Sequence, residues 1–285
     1  MAIRTLSAAL AATSLLIAGC GESPEREPDQ QPAAKPAAVS FDGVDYAGNA
    51  AMLAHGKRLA RVLDCTGCHG DNLQGHNVTE DEPEYGDMNA PNLTLLMAEY
   101  SDSDIEKLLR TGTPRDGRQL WFMPAESYQF LSDRDIAAII AFLRSHPPAG
   151  KQLPPIRKGE GFLKEVKEGG LSHAAAQTVR YRDNPPADMG PQHERGRQLA
   201  RMVCTGCHNA QLQGYKGFTP DLDLAGAYTP AELETLLTTG KGKSKPDLGL
   251  MSSIAKYSFS QLTPAERKAI AGYVLARANR PQPPQ

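Results

Sequence analysis

At 285 residues the chain has room for two domains of roughly 100 residues each, with tails and a linker to spare. A 40% hydrophobic content, 22% charged residues and a formal net charge of −2 describe an ordinary soluble protein. No basic block or RNA-binding signature is present, so a nucleic-acid binder is excluded. The 22 prolines gather near the two ends and in the middle, leaving two Pro-poorer bodies between them.

The N-terminus reads as a targeting segment rather than as fold. Arg4 precedes an apolar or small-residue run over residues 6–18, shorter than the ~20 residues a helix needs to cross a bilayer. The run ends in Ile17-Ala18-Gly19-Cys20, which resembles the lipobox of bacterial lipoprotein precursors. The resemblance implies that residues 1–20 are a lipoprotein signal peptide and that Cys20 carries the lipid. Each buried CH₂ contributes about 0.8 kcal/mol, so several acyl chains hold a membrane where one is marginal. Residues 21–44 are Pro-, Ala- and charge-rich and are expected to form a disordered tether. The expected location is the periplasm, with the chain lipid-anchored to one of the two membranes of a Gram-negative bacterium.

Two stretches then carry the chemistry: "CTGCHGDNLQG" from Cys65 and "CTGCHNAQLQG" from Cys204 differ at three of eleven positions. The five cysteines are Cys20 plus these two pairs, which leaves none for other disulfides. An exported protein normally oxidises spare thiols pairwise, so these are held some other way. Zinc needs four ligands, and C-x-x-C-H offers three at most. A thioredoxin-like redox motif belongs in a βαβ setting and has no use for the adjacent histidine. Covalent attachment of a c-type haem uses all three residues, two as thioethers and His as a ligand to iron. The expectation is two covalently bound haem c groups, on Cys65 and Cys68 and on Cys204 and Cys207. His69 and His208 are the proximal ligands.

The group opposite each histidine decides between electron transfer and catalysis, since Met closes the site and raises the potential. After His208 the chain contains no further His or Cys and a single Met, Met251. The first half offers Met88, Met97, Met123, His76 and His146. "YSDSDIEKLLRTG" from Tyr100 aligns without a gap on "YTPAELETLLTTG" from Tyr228, and "AIIAFL" from Ala138 on "AIAGYV" from Ala269. Between these landmarks Met123 and Met251 are the only methionines, and they are the expected distal ligands. Met97 reads as core, Met88 and His76 as solvated loop, and His146 as a charge partner at a helix C-terminus.

The repeat extends to whole helical domains. A helix precedes each Cys pair, with Met52, Gly56, Leu59 and Leu63 on one face and Gly196, Leu199 and Val203 on the other copy's. A middle helix in each half opens on a capping box, Ser101 with Asp104 and Thr229 with Glu232, and stops at Gly112 or Gly240. A last helix opens at Ser132 with Asp135, or at Thr263 with Glu266. No period-two run suggests a sheet, so the class is all-α. Residues 45–148 and 191–280 are the two domains, 149–190 a linker of low regularity and 281–285 a Pro-rich tail.

This order of helix, haem motif, loops, Met and closing helix resembles class I cytochrome c, here in tandem. In that family a small residue on the first helix lets an aromatic on the last cross closely, which fits Gly56 with Phe142 and Gly196 with Tyr273. "APNLT" from Ala90 and the stretch from Thr111 to Ser145 resemble the cytochrome subunits of bacterial periplasmic dehydrogenases for alcohols, sugars or sugar acids. Well-known members often carry three haems, whereas two attachment motifs exist here. Met251-Ser252 stands where the first half has Met123-Pro124. The resemblance implies a membrane-tethered dihaem carrier, not itself an enzyme, that passes single electrons without a small-molecule substrate. Its donor would be a periplasmic dehydrogenase or a quinol-linked complex, and its acceptor a respiratory oxidase or bc1-type complex. The alternative is a dihaem redox enzyme, a peroxidase or thiosulfate dehydrogenase, with one catalytic haem. The loop bearing Asp71, Glu80, Asp81, Glu82, Glu84 and Asp87 and the loop bearing Lys241, Lys243 and Lys245 suggest docking surfaces of opposite sign.

Overall fold

A computed structural model of the chain describes residues 40–281. The expected signal peptide, Cys20, residues 21–39 of the tether and residues 282–285 lie outside the described residues. Six helices build the first domain: α1 (Asn49–Val62), α2 (Cys65–His69), α3 (Leu93–Glu99), α4 (Asp102–Thr111), α5 (Ala125–Tyr128) and α6 (Asp133–Arg144). Two follow in the linker, α7 (Glu160–Glu168) and α8 (Ala174–Asp183). The second domain holds α9 (Glu194–Val203), α10 (Thr205–His208), α11 (Pro230–Thr239), α12 (Leu250–Tyr257) and α13 (Pro264–Ala278). Where the first domain has α3, the second has a short 3-10 turn, Leu222–Ala227.

In each domain the first and last helices cross at a glycine. A Cβ on Gly56 would stand 1.9 Å from the Ala138 carbonyl oxygen and 2.9 Å from the Phe142 Cβ. On Gly196 it would stand 2.0 Å from the Ala269 oxygen and 2.7 Å from the Tyr273 Cβ. Backbone meets backbone there, so any side chain would force the helices apart. The caps follow the sequence as well. Ser101 with Asp104 and Thr229 with Glu232 bond reciprocally to each other's backbone N–H. Gly112 and Gly240 end the same helices in the left-handed conformation, at φ 65° and 74°.

The linker is more ordered than its composition suggests. Arg157–Lys158 pairs antiparallel with Gly86–Asp87, a two-stranded patch that period-two patterning is too short to announce. Phe162 of α7 is buried against Trp121, with ring centroids 4.9 Å apart. The Ala174 N–H, at the start of α8, donates to the Leu120 carbonyl. Further along, Gln129 Nε2 donates to the Thr178 carbonyl, and Arg201 donates to the carbonyls of Tyr181 and Arg182. The linker therefore wraps both domains.

The tether ends earlier than position 44. Phe41 is 1% exposed, because its ring has an apolar site to fill, and its N–H donates to the buried Asp135 carboxylate. Residues 41–44 belong to the folded body. No helix among the described residues is long and apolar enough to cross a membrane.

Candidate haem sites

Each C-x-x-C-H stretch coils into one helical turn directly after the first helix of its domain, as α2 and α10. His69 Nδ1 lies 2.9 Å from the Pro91 carbonyl oxygen, and His208 Nδ1 lies 2.9 Å from that of Pro220. A carbonyl can only accept, so Nδ1 must carry the hydrogen and Nε2 the lone pair. That is the tautomer and orientation a metal-ligating imidazole requires. Burial pushes both imidazole pKa values down, which keeps the rings neutral and ready to ligate.

The remaining repeated residues build this lock, a role the sequence did not reveal. Leu73 and Leu212 sit fully buried in the left-handed region, at φ 59° and 64°. Such a conformation is costly for leucine and persists only where the surroundings impose it. Gly75 and Gly214 then donate to the carbonyls of His69 and His208. A Cβ on Gly75 would lie 2.1 Å from the Ala90 oxygen, and one on Gly214 would lie 2.2 Å from the Thr219 oxygen. These glycines let the loop lie flat on the peptide that presents the proline carbonyl. The signal for them was the L-Q-G ending shared by the two copies.

The four thiols form no disulfides. Burial pushes Cys65 and Cys204 up to about 12 and Cys68 to about 11. Cys207 is raised too, first by burial and then by the nearby Asp64 carboxylate of the first domain. Thiols held neutral by burial are slow partners in disulfide exchange. The two motifs do not pool their ligands either. Among the described residues no group of three or more His, Cys, Asp or Glu could hold a metal ion. The donor set fits a haem joined through carbon–sulfur bonds, for which an inert thiol environment is no obstacle.

Met123 and Met251 are half-buried, each packed on the hydrophobic core, and each follows an exposed apolar residue, Phe122 or Leu250. The place of Pro124 in the first domain is taken by Ser252 in the second. Its hydroxyl donates to the Gly240 carbonyl and accepts from the Leu248 N–H, so hydrogen bonds fix the first turn of α12, which carries Met251, where a proline ring follows Met123 in a loop. Met97 is core and His76 is exposed. His146 hydrogen-bonds the Phe142 carbonyl near the C-terminus of α6. Met88 corrects the expectation of a solvated loop: it is 3% exposed, its N–H held by Asn77 and Thr79 side chains.

Internal pairing consumes part of both charged loops. Asp71 pairs with Arg61 at 2.9 Å, Asp87 with Arg157 at 2.7 Å and Lys243 with Glu232 at 3.1 Å. Glu80, Asp81, Glu82 and Glu84 on one side, and Lys241 and Lys245 on the other, remain exposed.

Two helical domains, each with a thiol pair beside a carbonyl-locked histidine and a methionine packed on the core, define a tandem dihaem protein. The family model for cytochrome c matches residues 53–147 and 193–277, and the chain belongs to the cytochrome c family. It carries two covalently bound haem c groups. The chain is 28% identical to a subunit of nicotinate dehydrogenase from Pseudomonas putida over 56% of its length and 14% of that protein's. To the gluconate 2-dehydrogenase cytochrome c subunit of Pantoea cypripedii it is 25% identical, over 81% of its length and 60% of the relative's. To a diheme cytochrome c-type protein of Cereibacter sphaeroides it is 24% identical, over 83% and 89%. The first two relatives are longer proteins, and the chain spans less than two thirds of either.

Proposed function

We propose that the chain is a membrane-tethered electron carrier that serves a periplasmic dehydrogenase. It would take single electrons from the dehydrogenase or a quinol-linked donor and deliver them to a respiratory oxidase or bc1-type acceptor. One of the relatives named above is the cytochrome c subunit of gluconate 2-dehydrogenase, which supports the dehydrogenase partner, and the tether in this reading is the lipid on Cys20. In this reading Cys65, Cys68, Cys204 and Cys207 hold the haems, with His69 and Met123 on one iron and His208 and Met251 on the other.

Bound haem supplies a reversible one-electron couple. What the chain supplies is immobility. The Pro91 and Pro220 carbonyls fix the imidazoles, and Pro124 and Ser252 brace the segments that carry the methionines. Little has to move when an electron arrives.

The observation that carries the reading is that the same histidine lock recurs in both domains, each with its own packed methionine. This likeness of the two sites supports the same carrier role for both. Absorption spectra of the oxidised and reduced holoprotein, with and without carbon monoxide, test this. Two low-spin haems with a methionine–iron charge-transfer band and no rapid ligand binding are expected. A high-spin haem that binds carbon monoxide readily would overturn the carrier in favour of an enzyme.

A further inference from the structure

The face between the two domains is reciprocal. Arg61 and Arg201 occupy the same place, in the shared stretch Leu-Ala-Arg at the end of the first helix. Arg61 lies 4.1 Å over the ring of Tyr257, from the second domain, and Arg201 lies 3.7 Å over the ring of Phe130, from the first. The motif threonines repeat the exchange. The Tyr257 hydroxyl donates to the Asp71 carboxylate at 2.5 Å and lies 3.3 Å from Thr66 Oγ1, and Ser127 Oγ lies 3.3 Å from Thr205 Oγ1. In both directions a haem-attachment loop meets the other domain's segment between the methionine and the last helix. A two-fold interface between identical subunits has this form, in which i meets j and j meets i.

Phe41 and Asp42 bridge the same two halves. Their consecutive amides reach equivalent residues, the third of each closing helix. The Phe41 N–H donates to Asp135 at 3.3 Å, and the Asp42 N–H donates to Glu266 at 2.7 Å. Glu266 is fully buried and also accepts from Arg58, at 2.9 Å. Arg58 stands seven residues before Cys65 and donates through its other nitrogen to the Asp42 carbonyl. The Asp42 carboxylate in turn holds Arg195 at 2.6 Å and the Thr263 hydroxyl. Two residues thus tie α1, α6, α9 and α13 together.

We propose that Phe41 and Asp42 are positioning residues for electron passage between the two haems of one chain. By clamping the two closing helices they hold each haem-attachment loop against the opposite domain, so an electron crosses without the domains separating. The step oxidises one iron by one electron and reduces the other by one; no bond forms or breaks. The inference rests on the carrier reading and adds where the internal transfer occurs and which residues set it.

The experiment is flash photoreduction of the full-length holoprotein by a flavin semiquinone, following redistribution between the haems at several protein concentrations. In the wild type the redistribution rate is expected to be independent of protein concentration. Phe41→Ala/Asp42→Ala removes the buried ring and the carboxylate that holds Arg195 and Thr263, and should slow it by about tenfold or more, as a misplacement on the order of 1 Å does for other positioned reactants. Both low-spin spectra and both reduction potentials should be retained in that variant. Tyr257→Phe, which removes one hydroxyl, should slow the rate in the same direction with the staple intact. A wild-type rate proportional to protein concentration, or rates unchanged in both variants, would overturn the proposal. Failure of the carrier reading is separately recognisable, as a high-spin wild-type spectrum before any rate is measured.

Discussion

Replacing Glu126 with glutamine is predicted to stabilise the folded protein by an amount that grows with pH. Glu126 opens into the packing of α5 and is 8% exposed. Burial pushes its carboxyl from an ordinary 4.5 up to about 7, with only its own backbone N–H acting the other way. Between those two values the unfolded chain has released the proton and the folded chain has kept it. The folded state then binds more protons, so stability falls as pH rises through this window. Below 4.5 both states are protonated and the effect vanishes; above about 7 the whole cost is present. A shift of about 2.5 units at ~1.4 kcal/mol each sets a ceiling of ~3.5 kcal/mol. Glutamine keeps the shape and cannot ionise. Urea unfolding of the holoprotein, followed by circular dichroism, should show a near-zero gain for Glu126→Gln at pH 4.5. The gain should rise to roughly 2–3 kcal/mol at pH 8. Other titrating groups cancel in the difference between the two proteins. A difference that stays flat from pH 4.5 to 8 would refute the buried-carboxyl reasoning.

Two further predictions concern glycines. Gly196→Ala sets a methyl 2.0 Å from the Ala269 carbonyl and should cost roughly 1–3 kcal/mol in the same unfolding assay. Gly272→Ala, on α13 with nothing within 4 Å of its added Cβ, should instead gain about 0.5–1 kcal/mol; equal effects would deny the close crossing. Gly75→Ala drives the loop off the peptide carrying the Pro91 carbonyl, and also strains a φ of 74°. With the histidine lock loosened, His69 donates less charge to iron. Spectroelectrochemical titration should then show the first haem's potential rising and the second's unchanged; two unmoved potentials would dissociate Gly75 from the lock.

Much of this architecture was legible because its signals are local. A C-x-x-C-H spans five residues, a capping box four, and the crossing glycines fall on a helical period. The alignment of halves singles out Met123 and Met251 because each half offers one methionine between the same landmarks. Other features depend on contacts that leave no pattern in the chain. The acceptors of the histidine locks are backbone carbonyls of Pro91 and Pro220, 22 and 12 residues downstream of the histidines they hold. Linker helices α7 and α8 are short, and segments of that length hold as helices only when tertiary packing supports them. Phe162 and Tyr181 supply that packing, and neither advertises its partner in sequence. Phe41 and Asp42 looked like the end of a polar tether because their partners lie 94 and 224 residues away. Met88 looked solvated for the same reason, its loop being folded inward by Asn77 and Thr79.

The exchange of contacts across the domain face has a consequence for how such a chain can change over time. A duplicated gene ordinarily frees one copy to drift, yet here each copy completes the other's surroundings. A substitution at Ser127 is felt at Thr205, and one at Tyr257 at Thr66. Divergence is channelled to places off the shared face, such as Pro124 against Ser252, where either residue can brace its own loop. One reading frame thus holds contacts of the kind a symmetric dimer makes between two chains. Cutting it in half would strip from each haem-attachment turn the neighbours it has in the other domain.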